Sequence, residues 1–207
     1  MEDCRKTTME NKNWPAAWQV TLGTLRIDLP LVRGADGFGI YAYDSMGRRA
    51  WNVAAAAALA RLLAGYDFDI LLTAESKAIG LCEELAAVLG HTDYVVLRKG
   101  RKLYTQDPME VAVQSVTTAT RQTLVLGRDQ QELLRGKRVC VVDDVISTGG
   151  TLRAIYEVAR ALDCPIAVNA CVLTEEVPWK AFEGVPVVRL DHIPLPAHTD
   201  FNVSSGG

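Results

Sequence analysis

Residues 139–151 read VCVVDDVISTGGT. An unbroken apolar run, as a strand covered on both faces needs, ends in two aspartates and then in hydroxyls and glycines. The stretch that follows, GGTLRAIYEVARALD, has helical spacing. Glycines let the backbone turn its N–H groups inward with no Cβ in the way, and a helix N-terminus adds partial positive charge. Ser147, Thr148 and Thr151 add hydroxyl donors. Together with Gly149 and Gly150 they make a pocket for a phosphate monoester. The loop lacks GxxxxGK[ST], so it is not the common nucleotide P-loop. A bare phosphate site would not keep two acids beside it. Asp143 and Asp144 make sense if the ligand carries hydroxyls, or a metal, about one sugar away from the phosphate. Taken singly, the acids read as a solvated strand end and the glycines as a turn. Strand, double acid, hydroxyl-glycine loop and helix in register argue for a sugar phosphate, with Mg²⁺ nearby to offset charge.

Outward from this stretch, strand and helix alternate. Helices are expected over 49–64 and 77–89, the second burying Ile79, Leu81, Leu85 and Val88. Strands are expected at DILLT (69–73), DYVVLR (93–98), GKRVCVVDD, IAVNACVLTE and VPVVRLD. VAVQSVTTATRQTLVLGRD reads as two strands with a turn at 118–120, and WQVTLGTLRIDLPLV and GFGIYAYDS as strands near an edge. The fold class is therefore α/β, with a central, mostly parallel sheet flanked by helices. Such sheets bind ligands outside the carboxyl ends of their strands. Glu75-Ser76-Lys77 follows DILLT and Arg98-Lys99 follows YVVL, so both belong to that end. Read alone, Ser76 is a helix cap and 98–102 a solvated basic run. Beside the main motif, both read as anion-binding.

The bounds agree. The 207 residues suffice for one well-filled domain, and 49% of them are hydrophobic. A formal charge of −3 argues against bulk nucleic-acid binding. No stretch reads as a membrane span, and the polar start MEDCRKTTMENKNW is no secretory signal. Cys4, Cys82, Cys140, Cys164 and Cys171 show no zinc-like spacing and read as reduced thiols of a cytoplasmic protein. The organisation read from this is a flexible leader over 1–20, one domain over 21–192 and a loose tail over 193–207.

VCVVDDVISTGGT resembles the 5-phosphoribosyl-1-diphosphate (PRPP) motif of the type I phosphoribosyltransferases. AESKAIGLCEELAAVLG, YVVLRKGRKLY and TLVLGRDQQELLRGKRV resemble the adenine phosphoribosyltransferase branch. The resemblance covers 50–175 and weakens toward both ends. It implies a core capped by a small hood from the terminal segments, PRPP and a nucleobase as partners, Mg²⁺ bound mainly through PRPP, and a homodimer. By position, it implies that Asp143 and Asp144 bind the ribose hydroxyls and that Ser147, Thr148, Gly149, Gly150 and Thr151 cradle the 5-phosphate. It implies a diphosphate loop of Glu75, Ser76 and Lys77, often with a cis peptide. Arg98, Lys99 and Lys102 would meet diphosphate charge, some of them from a neighbouring copy, with Lys102 catalytic beside the two aspartates. Val145 would lie against the base, and the segment from Tyr104 to Arg121 would close over the reaction. Two positions depart from the branch. Val125 stands where Leu-Glu-Tyr-Gly would place an acid, and Lys77-Ala78 replaces Arg-Gly, which keeps the charge but loses the planar fork.

The activity this implies is transfer of the phosphoribosyl group to a base, a purine such as adenine, with release of diphosphate. A PRPP-binding regulator without transferase activity, or a transferase for a non-purine base, remains open at this point. Trp179 and Phe182 either stack on a base or pack under the loop, and Trp14, Trp18 and Trp51 read as packing residues. The three histidines, His91, His192 and His198, read as surface or loop residues.

Overall fold

The computed structural model describes residues 14–33, 39–113 and 122–196. Strands β1 (Ala17–Leu22), β2 (Leu25–Arg33) and β3 (Gly39–Tyr41) form an antiparallel sheet of their own. Helix and strand then alternate through α1 (Arg49–Leu63), β4 (Ile70–Ala74), α2 (Ile79–Leu89) and β5 (Tyr94–Leu97). Strands β6 (Met109–Val113) and β7 (Gln122–Leu126) pair with each other. The chain continues through α3 (Arg128–Leu134), β8 (Val139–Ile146), α4 (Gly150–Ala161), β9 (Ile166–Glu175), β10 (Ala181–Phe182) and β11 (Val185–Ile193).

The central sheet has the order β10-β11-β9-β8-β4-β5. All its pairings are parallel except that of the short edge strand β10. Because β4 leads outward to β5 while β8 returns on its other flank, the strand order reverses between β4 and β8. A crevice opens at such a reversal, beyond the carboxyl ends of the strands.

Apolar residues on both faces put β4 and β8 at the centre: every residue of β4 is buried, as are Val139 to Val142. Alternation then splits the core. Leu71, Cys140 and Val142 pack under α1, α2 and the N-terminal sheet, while Leu72, Val139 and Val141 pack with α4 and β7. Each fully buried leucine contributes about 1.5–3 kcal/mol.

Several boundaries differ from the sequence reading. Strand β1 starts at Ala17, inside the span read as leader, because Val20 and Leu22 are buried in the core. Helix α2 buries Leu81, Cys82, Leu85 and Ala86 and leaves Val88 exposed; its buried stripe is centred a residue away from the expected one. Helix α3 lies where only a connection was expected. The turn expected at 118–120 and residues Cys4 and His198 lie outside the described residues. Cys82, Cys140, Cys164 and Cys171 are buried free thiols. Tyr41 packs against Trp14 and Trp18, and Trp51 stacks on Tyr43. His91 stacks on Phe68.

Arg138, just before β8, donates to Asp69, just before β4, through its backbone N–H at 2.8 Å and its guanidinium at 3.0 and 3.3 Å. Those bonds hold the Asp69 carboxyl down at about 2. A depressed carboxyl stabilises the fold above its ordinary pKa and loses that stabilisation as pH falls through the depressed value. Arg138→Ala is therefore expected to lower the melting temperature at neutral pH, with the deficit closing toward pH 2, as a pH series of thermal melts would show.

Candidate active site

The acids sit where β8 leaves the sheet. Their side chains part: Asp143 lies near Cys171, and Asp144 reaches Lys77 and Tyr43 on the side of Cys140 and Val142. The Asp144 N–H donates to Asp143 Oδ1 at 2.9 Å. Burial first, and the Asp144 charge second, push the Asp143 carboxyl well above the usual carboxylate range. On the other face, the Lys77 ammonium lies 2.9 Å from Asp144 Oδ2 and donates to the Tyr43 carbonyl at 3.1 Å. One lysine thus joins the 75–78 turn, the acid pair and the end of the N-terminal segment. Lys77 meets only one of the two acids, which leaves the pair able to accept hydroxyl donors or a cation.

The glycine loop follows at once. Gly149 has φ 75°, a left-handed conformation, and starts α4, which has no acid in its first turn and no side-chain cap. Trp179 Nε1 donates to the Ser147 carbonyl at 3.1 Å, and Arg153 Nη2 to the Thr148 carbonyl at 2.6 Å. In a trans peptide the next N–H points opposite to the carbonyl. Pinning these two carbonyls therefore aims the Thr148 and Gly149 N–H groups away from the protein donors, as an anion nest requires. Phe182 lies under Gly149 and is held by Tyr156 and Trp179 at ring separations of 5.1 and 5.7 Å. Trp179 and Phe182 thus pack under the loop.

The 75–78 turn starts with a cis peptide between Glu75 and Ser76. The Glu75 N–H donates to the Leu97 carbonyl at 2.8 Å. Its carboxylate accepts from Arg98 Nε at 3.3 Å and from the Lys99 N–H at 2.8 Å. Arg98 also donates to the Tyr104 hydroxyl at 2.6 Å. Glu75 therefore holds the turn and the end of β5 together and orients Arg98.

The structure thus brings Lys77 onto Asp144 and Glu75 onto Arg98, with Ser147 to Thr151 beside the acids. Val145 is half-buried at the end of β8. The Lys99 and Lys102 side chains are exposed, and among the described residues neither meets an acid. Val125 is buried and exchanges both backbone hydrogen bonds with Arg98, at 2.8 and 2.9 Å. A cavity of about 700 Å³ lies to one side, lined by Glu75, Arg98, Tyr104 and Arg128 but by neither aspartate. Tyr43, Tyr104 and Arg153 are contributors that sequence reasoning missed. Tyr43 meets a residue distant in sequence, Arg153 meets a backbone carbonyl, and Tyr104 meets Arg98 at a separation that matches neither helix nor strand period, so none leaves a pattern.

Comparisons with known proteins point the same way. The family model described as a phosphoribosyl transferase domain matches residues 42–187. An adenine phosphoribosyltransferase from Saccharopolyspora erythraea is 35% identical over 152 residues, covering 72% of this chain and 80% of that protein. A hypoxanthine/guanine phosphoribosyltransferase from Methanothrix soehngenii is 41% identical over 133 residues, covering 62% and 66%. The crystal structure of the adenine phosphoribosyltransferase from Thermoanaerobacter pseudethanolicus shares the fold, with a TM-score of 0.65 at 20% identity over 80% of this chain and 95% of that one. Since the matched span takes in the acid pair, the glycine loop and the 75–78 turn alike, this chain belongs to the phosphoribosyltransferase family and is an enzyme of that kind.

Proposed function

We propose that the enzyme transfers the 5-phosphoribosyl group of PRPP to a purine, adenine first among them, and releases diphosphate. The observation that carries this reading is the glycine loop with its peptide planes pinned and its N–H groups turned outward, immediately after an acid pair. A phosphate on that loop places a ribose over Asp143 and Asp144, whose carboxylates accept from its two hydroxyls. Carbon C1 then faces the 75–78 turn, where Lys77 and Arg98 gather positive charge for the diphosphate. As the bond from C1 to diphosphate breaks and a base nitrogen attacks, charge grows positive on the ribose and negative on the leaving group. The acids stabilise the first and the basic side chains the second. Val145 offers an apolar surface to the base.

Among the described residues, no group of three or more His, Cys, Asp or Glu gathers to cage a metal. The acid pair, only partly neutralised by Lys77, fits a Mg²⁺ ion that arrives on the oxygens of PRPP. Bound there, the ion would neutralise charge on the diphosphate. Exposed Lys99 and Lys102 fit a homodimer in which they reach a neighbouring copy's diphosphate. The purine assignment draws on the relatives, which are named for adenine and for hypoxanthine/guanine.

The test is diphosphate release from PRPP and Mg²⁺ with adenine, hypoxanthine, guanine, xanthine, orotate and uracil in turn. The highest kcat/KM is expected with adenine. Turnover confined to orotate or uracil would overturn the purine reading, and release that no base stimulates would overturn transfer to these bases.

A further inference from the structure

Behind the acid pair lies a set of polar groups of which the reaction uses only Asp144. Among the described residues, Tyr43 OH is buried with no hydrogen-bond partner beyond the nearby Ser45 hydroxyl, Asn52 Oδ1 and Thr73 Oγ1 are buried without one, and Asp144 Oδ2 has only the Lys77 ammonium beside it. The four residues are 4%, 6%, 0% and 7% exposed, so bulk water does not reach these atoms. Left unsatisfied, each would cost about 1–3 kcal/mol, and together they would consume much of a typical folding stability.

They gather on one side of the sheet, beneath the 75–78 turn. Lys77 joins the Tyr43 carbonyl to Asp144. Ser45 donates to the Lys77 carbonyl at 3.3 Å, and its own carbonyl accepts from Asn52 Nδ2 at 3.4 Å. Asn52 in turn lies against Gly80, where a Cβ would come 2.6 Å from Nδ2. Thr73 pairs with Val142, two residues before Asp144, and faces the same way as Leu71, toward the same core. Burial, and then the Asp144 charge, push the Tyr43 hydroxyl pKa up against a smaller opposing pull from the Ser45 hydroxyl, so this group stays protonated and able to donate.

The chemistry of the set is complementary to one guest. Asn52 Oδ1 can only accept, since its Nδ2 is fixed on Ser45, and Asp144 Oδ2 can only accept. The Tyr43 and Thr73 hydroxyls can both donate. A water donates twice and accepts twice. A cation would have four oxygens but would meet the Lys77 ammonium on the same carboxylate. We propose that Tyr43, Asn52 and Thr73 hold one structural water on the inner oxygen of Asp144, and that they thereby act as positioning residues for this carboxylate. The water anchors Asp144 to the N-terminal segment, to α1 and to β4, and leaves its other oxygen aimed at the ligand. The inference rests on the reading of Asp144 as a ribose ligand.

A high-resolution crystal structure of the full chain should show one water within ~2.7–3.2 Å of the four oxygens. Tyr43→Phe and Thr73→Val each delete one hydroxyl and little volume. Each is expected to raise the KM for PRPP about tenfold while kcat at saturating PRPP holds. The double variant should show the same roughly tenfold loss, since either change alone releases the shared water, whereas independent groups would lose about a hundredfold. Multiplying losses, wild-type KM values, or an anomalous peak at this spot in rubidium-soaked crystals would overturn the shared water. Undiminished PRPP binding by Asp144→Asn would instead remove the ribose reading itself.

Discussion

Asp143→Asn is expected to raise the melting temperature at pH 8 while weakening PRPP binding roughly 10- to 100-fold, the worth of one charge-assisted hydrogen bond. The opposite signs have one cause. In the free protein Asp143 is an acid short of water with a second acid next to it, so its ionised form is disfavoured. A carboxyl whose pKa is raised by folding favours the fold most below its ordinary pKa and costs stability as pH climbs through the raised value. Asparagine keeps the shape and the contact with the Asp144 N–H but carries no charge. The variant and the parent should therefore melt alike below about pH 4, the ordinary carboxylate range, and diverge as pH rises. In a domain of this size each ~1 kcal/mol shifts the midpoint by about 2–4 °C. Calorimetric titration with PRPP gives the other half of the result. A variant less stable than the parent at pH 8 would remove the claim that this acid is held against its preference.

Gly149→Ala is expected to cost about 2–5 kcal/mol and to abolish measurable PRPP binding. At φ 75° any residue with a Cβ is strained by about 1–2 kcal/mol. The new methyl would also lie 2.7 Å from Phe182 Cε2. That ring is 3% exposed and wedged between Tyr156 and Trp179, while the Tyr156 hydroxyl donates to its carbonyl at 3.4 Å. It cannot swing aside, so the loop must lift, at about 1–3 kcal/mol for overpacking. Lifting it breaks the outward alignment of the Thr148 and Gly149 N–H groups. Adding Phe182→Leu to Gly149→Ala should recover the steric share of the loss, visible as a partial return of the melting temperature, and leave the backbone share. No recovery would mean that the ring is not what fixes the loop.

These two positions also show where sequence reading succeeds. Asp143 and Gly149 stand next to each other's context: an apolar run, an acid pair, a glycine pair and a helix are all local patterns, and local patterns survive in one dimension. DILLT and YVVL were legible as strands for the same reason. Helix α3 was not, since its seven residues are mostly charged or amide and its N-terminal Gly127 offers no side-chain cap. The partners of Glu75 were hidden because they lie at the end of the neighbouring strand, on Arg98 and Lys99, where no spacing rule applies. Thr73 had a weak signal, a hydroxyl inside the otherwise apolar ILLTA, but its meaning depends on Tyr43 and Asn52, which only the folded arrangement brings near. The N-terminal segment was least legible, because its packing partner β11 lies at the far end of the chain, as when the Thr21 N–H meets Asp191 Oδ2 at 3.0 Å.

The pairing of β4 with β8 has a consequence for how the protein is made. Asp69 and Arg138, which open the two strands, are 69 residues apart, and everything between them must be synthesised before the centre of the sheet can close. Non-local pairings of this kind slow folding, because chain entropy is lost before contacts repay it. A ribosome-bound chain that ends before Val139 carries the 75–78 turn, with its basic partner Arg98, but no β8 for β4 to pair with. Its β4 keeps one flank open, a strand edge that other chains can join. On the proposed reading substrate can reward only the finished sheet, since its ribose and diphosphate contacts would lie on opposite sides of this late seam. In a cell-free translation series, protection by PRPP against protease should therefore appear abruptly, once β8 and α4 have cleared the ribosome, and should not grow in step with chain length.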